Sequence, residues 1–147
     1  MFLCNENTHL GYEIKALSNL LRRKIWGTFA KPTCESLTEI EGMVLGFLFH
    51  NQDREIFQKD IETTFCIRSS TASRLLKQLE DGGFIERHPG STDARLKQVV
   101  VTPKATALYQ QIEQRIVDVE AILARGVSPE ELDQFMKTLQ KLKQNLL

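Results

Sequence analysis

The stretch Ser69-Ser70-Thr71-Ala72-Ser73-Arg74-Leu75-Leu76-Lys77-Gln78-Leu79-Glu80-Asp81, closed by Gly82-Gly83, decides the fold. Successive residues of an α-helix turn by about 100°, which gathers Ala72, Leu75, Leu76 and Leu79 on one side and Ser70, Arg74, Lys77 and Asp81 on the other. The glycine pair supplies a left-handed stop. An apolar face for docking, opposite a face of short polar and basic side chains, is what a helix needs to lie in the major groove of DNA while fixed to its own domain. Serine and threonine hydroxyls reach phosphates or base edges without filling the groove, and an arginine can bridge the two acceptors of a guanine.

Downstream, Phe84 to His88 and Lys97 to Val101 are two β-prone runs around the turn-rich Pro89-Gly90-Ser91-Thr92-Asp93. They predict a hairpin whose loop is too long for a two-residue turn and projects as a flexible wing over about 88–97. Thr102-Pro103 then reads as an N-cap with proline at the first helical position, and Leu108, Ile112, Ile116, Val119 and Leu123 continue as a stripe that Gly126 ends. Ser128-Pro129-Glu130-Glu131 starts a last helix along Leu132, Phe135, Met136, Leu139, Leu142 and Leu146. Upstream, Leu10, Ile14, Leu17, Leu21 and Ile25 mark a helix expected to reach about Phe29, where Lys31-Pro32 breaks it. Thr38-x-x-Glu41 is a capping box for a second helix that carries Ile40, Val44, Phe47 and Leu48 and ends near His50. Glu55-Ile56-Phe57 suits a stub of strand, and Lys59 to Phe65 a short third helix.

Helix, helix, strand stub, short helix, amphipathic helix, hairpin and long helices form the layout of a winged helix-turn-helix. The fold class expected is mainly α with a small β hairpin (α+β). A winged lobe over 37–101 is flanked by helical dimerisation segments at 8–30 and 102–147, all within one domain of 1–147. A lobe of that size cannot cover three further amphipathic helices, and oligomerisation is the usual way to bury such faces. A homodimer is therefore expected.

Charge points the same way. Nineteen Lys plus Arg against nineteen Asp plus Glu leave the 147-residue chain formally neutral, so no global field draws it to DNA or to an anionic membrane. Between Arg68 and Lys104, however, seven basic residues face four acidic ones, the local footprint expected of phosphate contacts. No apolar run approaches the roughly 18 to 20 residues that span a bilayer, and the start MFLCNENTHL lacks the build of a signal peptide, so no membrane partner and a cytoplasmic location are expected.

Taken together, Ile67 to Leu76, Leu79-Glu80-Asp81-Gly82-Gly83-Phe84-Ile85-Glu86-Arg87, Asp93-Ala94-Arg95 and Val101-Thr102-Pro103-Lys104 resemble the multiple-antibiotic-resistance regulator (MarR) family of bacterial transcription factors. Arg68 and Ala105 depart from it, standing where the family often has a small capping residue and a glycine. The resemblance implies a homodimer whose terminal helices interlock and whose two lobes read a pseudo-palindromic operator in double-stranded DNA. The chemistry of the polar face already gives Ser69, Ser70, Thr71, Ser73, Arg74 and Lys77 to the recognition helix; the resemblance adds Asp93 and Arg95 at the wing tip, with Arg87 and Lys97 as the wing's other expected contacts. In that pattern Asp93 holds a nearby arginine while Arg95 enters the minor groove, where narrow A·T-rich tracts concentrate negative potential. Arg87 contacts phosphate or pairs with Glu86 or Asp93. A small aromatic or phenolic effector is the further partner expected, in a cleft that Tyr12, Trp26 or Phe29 could line, although core packing is the favoured explanation of those rings.

Two other classes stand beside this reading. A winged helix can serve as a protein-docking module without DNA contact. A thiol-based oxidant sensor would use Cys4, Cys34 or Cys66, but no cation adjoins Cys4 in sequence, and Cys66, after Phe65 at a helix junction, suits a small buried hydrophobe. His9, His50 and His88 lack ligand spacing, so no metal or other cofactor is expected. No Gly-rich phosphate loop, nucleophile elbow or paired metal ligands point to an enzyme.

Overall fold

A computed structural model of the chain describes residues 9–26 and 37–147. Its elements are α1 (Leu10–Trp26), α2 (Glu39–His50), α3 (Gln58–Phe65), α4 (Ser69–Asp81), β1 (Ile85–Pro89), β2 (Lys97–Val101), α5 (Pro103–Leu123) and α6 (Pro129–Gln144). Phe29, Cys4 and Cys34 lie outside the described residues. The chain divides into two compact units, 1–113 and 114–147, and the division falls within α5.

Local chemistry sets the helix starts. The Thr38 hydroxyl accepts from the Glu41 amide at 3.4 Å, and the Glu41 carboxylate accepts from the Thr38 amide at 2.7 Å. Ser128 and Glu131 repeat that exchange at the start of α6, with Pro129 in the first turn. At α5 the Thr102 hydroxyl accepts from the Ala105 amide and donates to the Gly83 carbonyl at 2.7 Å, so one side chain caps the helix and ties it to the turn after α4. That turn needs a positive φ of 77° at Gly83, whereas Gly82 stays right-handed.

The core of the first unit collects Val44, Leu45 and Leu48 of α2, Ile61 of α3, Leu75, Leu76 and Leu79 of α4, and Phe84, Ile85 and Val99 of the hairpin. The apolar side of α4 is therefore the side the core takes up. The hairpin is antiparallel, with Ile85 opposite Val101 and Pro89 opposite Lys97. The stub at 55–57 adds a single bridge, Phe57 to Gln98, reinforced by Val99 N–H donating to the Ile56 carbonyl at 2.7 Å. Phe84, read as the first residue of β1, lies just before it and is buried.

Tyr109 fastens α2 to the start of α5. Its ring covers Gly46, where an added Cβ would come within 2.9 Å of Tyr109 Cε2, and its hydroxyl is hydrogen-bonded to His50 Nε2 at 3.0 Å. Burial, and then the charge of Glu113, pushes the Tyr109 hydroxyl above its ordinary pKa. In the second unit α6 has no buried residue, and Phe135 and Met136 are each about half exposed, at 51% and 52%. Among the described residues, no helix is long and apolar enough to cross a membrane.

One expectation is corrected. Cys66 is exposed rather than a buried hydrophobe. It ends α3 in the left-handed conformation (φ 51°), its amide bonded to the Glu62 carbonyl, and this sharp exit turns the side chain away from the core.

Candidate nucleic-acid interface

With the apolar side of α4 buried, Ser69, Ser70, Ser73, Arg74 and Lys77 are left exposed, while Thr71 is half-buried. These side chains differ in how far they are committed. Lys77 Nζ lies 3.5 Å from Asp81 Oδ1, one turn along the helix, a pairing that little opposes exchange for a phosphate at an exposed site. Ser69 receives the Gln58 side-chain amide on its carbonyl oxygen at 3.3 Å and on its hydroxyl at 3.5 Å. Arg74 is exposed and has no ion pair among the described residues. Its guanidinium carries five donors in a fixed fork, free to meet an outside acceptor. The helix begins at Ser69, with Arg68 at the N-cap making no side-chain cap.

The wing loop is closed by hydrogen bonds of its own. Gly90 N–H donates to the Leu96 carbonyl at 2.8 Å, and Leu96 N–H returns to the Asp93 carbonyl at 3.1 Å. Gly90 is required in this turn, since a Cβ there would stand 2.8 Å from the Asp93 carbonyl oxygen and 3.2 Å from the Phe57 ring. Arg95 is 91% exposed at its side chain. Asp93 accepts from the Arg95 backbone amide at 3.0 Å and from its guanidinium at 3.2 and 3.3 Å. Those bonds hold the Asp93 carboxyl below the usual aspartate range. The arginine that Asp93 orients is thus Arg95 itself, not a second one beside it. Lys97 is exposed and donates to the Ala94 carbonyl at 3.1 Å.

Arg87 stands apart from this surface. Its Nε lies 3.5 Å from Glu80 Oε2 without hydrogen-bond geometry, and its side chain is 29% exposed. The expected pairing with Glu86 or Asp93 is corrected to Glu80. Successive strand residues face opposite sides of the sheet, so Glu86 shares a side with His88, to which it bonds at 2.9 Å, while Arg87 turns toward the end of α4.

Periodicity reading missed Gln58 and Glu55. The Glu55 carboxylate accepts from the Ser91 amide and from the Ser91 hydroxyl, both at 2.8 Å. Neither contact leaves a trace in sequence spacing, since the partners lie 11 and 36 residues away. Of the rings expected near an effector cleft, Tyr12 is exposed and packs at a tilt against His9, and Trp26 is the last residue of α1. His50 and His88 are engaged by Tyr109 and Glu86.

A sequence model of the MarR family matches residues 36–96, the span from the start of α2 to the tip of the wing. Over nearly the whole chain the fold is similar to that of the Staphylococcus aureus MepR–DNA complex, with a TM-score of 0.83, 23% identity, and coverage of 97% of this chain and 100% of that one. It is also similar to the transcription regulator MarR from Oenococcus oeni PSU-1, with a TM-score of 0.82, 29% identity, and coverage of 92% and 99%. The transcriptional regulator SlyA follows at a TM-score of 0.73 and 24% identity, covering 95% and 94%. With an exposed polar face on α4 and a wing tipped by Asp93 and Arg95, residues 36–96 match the MarR family's sequence model, and nearly the whole chain has the fold of MarR-type winged-helix transcription regulators.

Proposed function

We propose that the protein is a homodimeric repressor that binds a pseudo-palindromic operator, with α4 in the major groove and the wing at the minor groove, and that a small aromatic or phenolic effector releases it. The observation that carries the reading is the exposed, uncommitted Arg74 in the middle of the polar face of α4. Arg95 at the wing tip supports it as a second contact, and the MepR relative supports it as a protein crystallised with DNA.

The roles follow from chemistry. Arg74 reads a guanine through its two major-groove acceptors, Ser70 and Ser73 meet phosphates or base edges, and Lys77 exchanges Asp81 for a phosphate. Asp93 keeps the Arg95 guanidinium extended toward a narrow minor groove. The apolar side chains left uncovered on α1 and α6 support a second copy as the partner of the terminal helices. An effector acts by population shift, binding better to a lobe spacing that mismatches two half-sites about one helical turn apart. Tyr109, which holds α2 against the start of α5, is where such a change in spacing reaches the lobe.

Two single substitutions test the assignment. Arg74→Ala is expected to cost about 1–3 kcal/mol and to relax preference at one position per half-site, whereas Lys77→Ala weakens all sequences alike and lowers the salt dependence. Titrations against a matched and a point-substituted duplex at two salt concentrations separate the two. Equal, sequence-independent losses from both variants would remove Arg74 from base reading.

A further inference from the structure

We infer that Glu55 is a positioning residue for DNA binding, a strap that sets the outer leg of the wing and through it the aim of Arg95. The inference rests on the proposal that Arg95 contacts DNA. Among the described residues, Glu55 is the only residue outside the hairpin that hydrogen-bonds to the loop 90–96. It does so with both carboxylate oxygens, to the Ser91 amide and the Ser91 hydroxyl at 2.8 Å each.

The remaining bonds of the loop are internal. Gly90 to Leu96, Leu96 to Asp93, and Asp93 to Arg95 fix the shape of the tip, but none fixes its direction relative to the lobe. Direction comes from the segment 55–57. Ile56 receives the Val99 amide, Phe57 bridges Gln98 and lies beneath Gly90, and Glu55 holds Ser91. The first grips the base of the hairpin, Phe57 also packs against the start of the loop at Gly90, and Glu55 alone holds the loop by hydrogen bonds. Among the described residues, Ser91 has no further hydrogen bond to the body of the lobe and Thr92 has none.

The charge of Glu55 strengthens the case. A carboxylate bonded to a wing that meets an anionic polymer opposes binding by charge alone. A bystander acid at this place and a positioning acid therefore predict opposite signs. Deleting a bystander leaves affinity unchanged or raises it, while deleting the strap lowers it because Arg95 must be ordered at the moment of binding.

The test uses the full-length protein and a fluorescein-labelled duplex bearing the site most enriched from random DNA. Glu55→Ala is expected to weaken binding about tenfold, and Glu55→Gln, which removes the charge but keeps an acceptor for Ser91, to recover most of the loss. In an Arg95→Ala background the same Glu55→Ala change is expected to cost less than about twofold, because the strap has lost the group it aims. Thermal unfolding of each variant checks that the lobe is intact, and its melting temperature is expected to stay near that of the parent. Unchanged or tighter binding by Glu55→Ala overturns the inference, as does an equal loss in both backgrounds. Wild-type affinity of Arg95→Ala alone marks the failure of the wing contact itself, and the inference falls with it.

Discussion

Arg74→Glu combined with Arg95→Glu is expected to abolish specific DNA binding while leaving the mass in solution unchanged. Each substitution removes a donor from the proposed interface and puts a negative charge against phosphate. The two sites lie on separate elements, α4 and the β1–β2 loop, so their effects add. Loss of one base-reading arginine costs about 1–3 kcal/mol, and reversing the charges also forfeits counterion release, so affinity should fall by at least about a thousandfold at physiological salt. The fold has little to lose. Both arginines are exposed, and the pair between Asp93 and Arg95 at the wing tip is the kind of surface contact that contributes little to stability. Fluorescence anisotropy and sedimentation on the same preparation check both halves. Binding within tenfold of the parent protein would mean that DNA is read by another surface, and a parent with no DNA affinity at all would favour a docking module.

Leu76→Ala should cost far more stability than alanine substitution of any exposed side chain on α4. Leu76 is fully buried where α2, α3, α4 and the hairpin meet, and truncating such a leucine costs about 2–5 kcal/mol from lost transfer and the cavity left behind. Against a total of about 5–15 kcal/mol for a domain, that is a large share. Urea unfolding of Leu76→Ala beside Lys77→Ala gives the contrast, because the neighbouring exposed lysine should change stability by less than about 0.5 kcal/mol. DNA binding by Leu76→Ala should weaken in step with unfolding, unlike that of the Arg74 variants, which stay folded. A cost below about 1 kcal/mol would contradict the packing described for α4.

What the sequence disclosed, and what it hid, follows from the range of each interaction. The capping boxes at Thr38 and Ser128 and the burial of Leu75, Leu76 and Leu79 depend on neighbours three or four residues away, so spacing reveals them. The bounds of α4 were legible because an amphipathic pattern meets a glycine pair at its end. The wing loop was not. Its turn-rich composition reads as flexibility, whereas the loop is closed by bonds of its own and tied at Ser91 to Glu55, a residue from another part of the chain. Arg87 had acidic neighbours at 86 and 93, and its actual partner, Glu80, is set by the packing of β1 on α4. The exposure of Cys66 turns on one left-handed residue, a backbone state that apolar patterning does not report.

In the proposed function, two copies of this chain read two half-sites together. Selection of bound sites from random duplex DNA, with a parallel determination of mass in solution, tests it most directly. A pseudo-palindrome with half-sites about one helical turn apart, bound by a species of twice the chain mass, is the result expected. A folded protein that enriches no sequence, even at low salt where phosphate contacts are strongest, would contradict the claim.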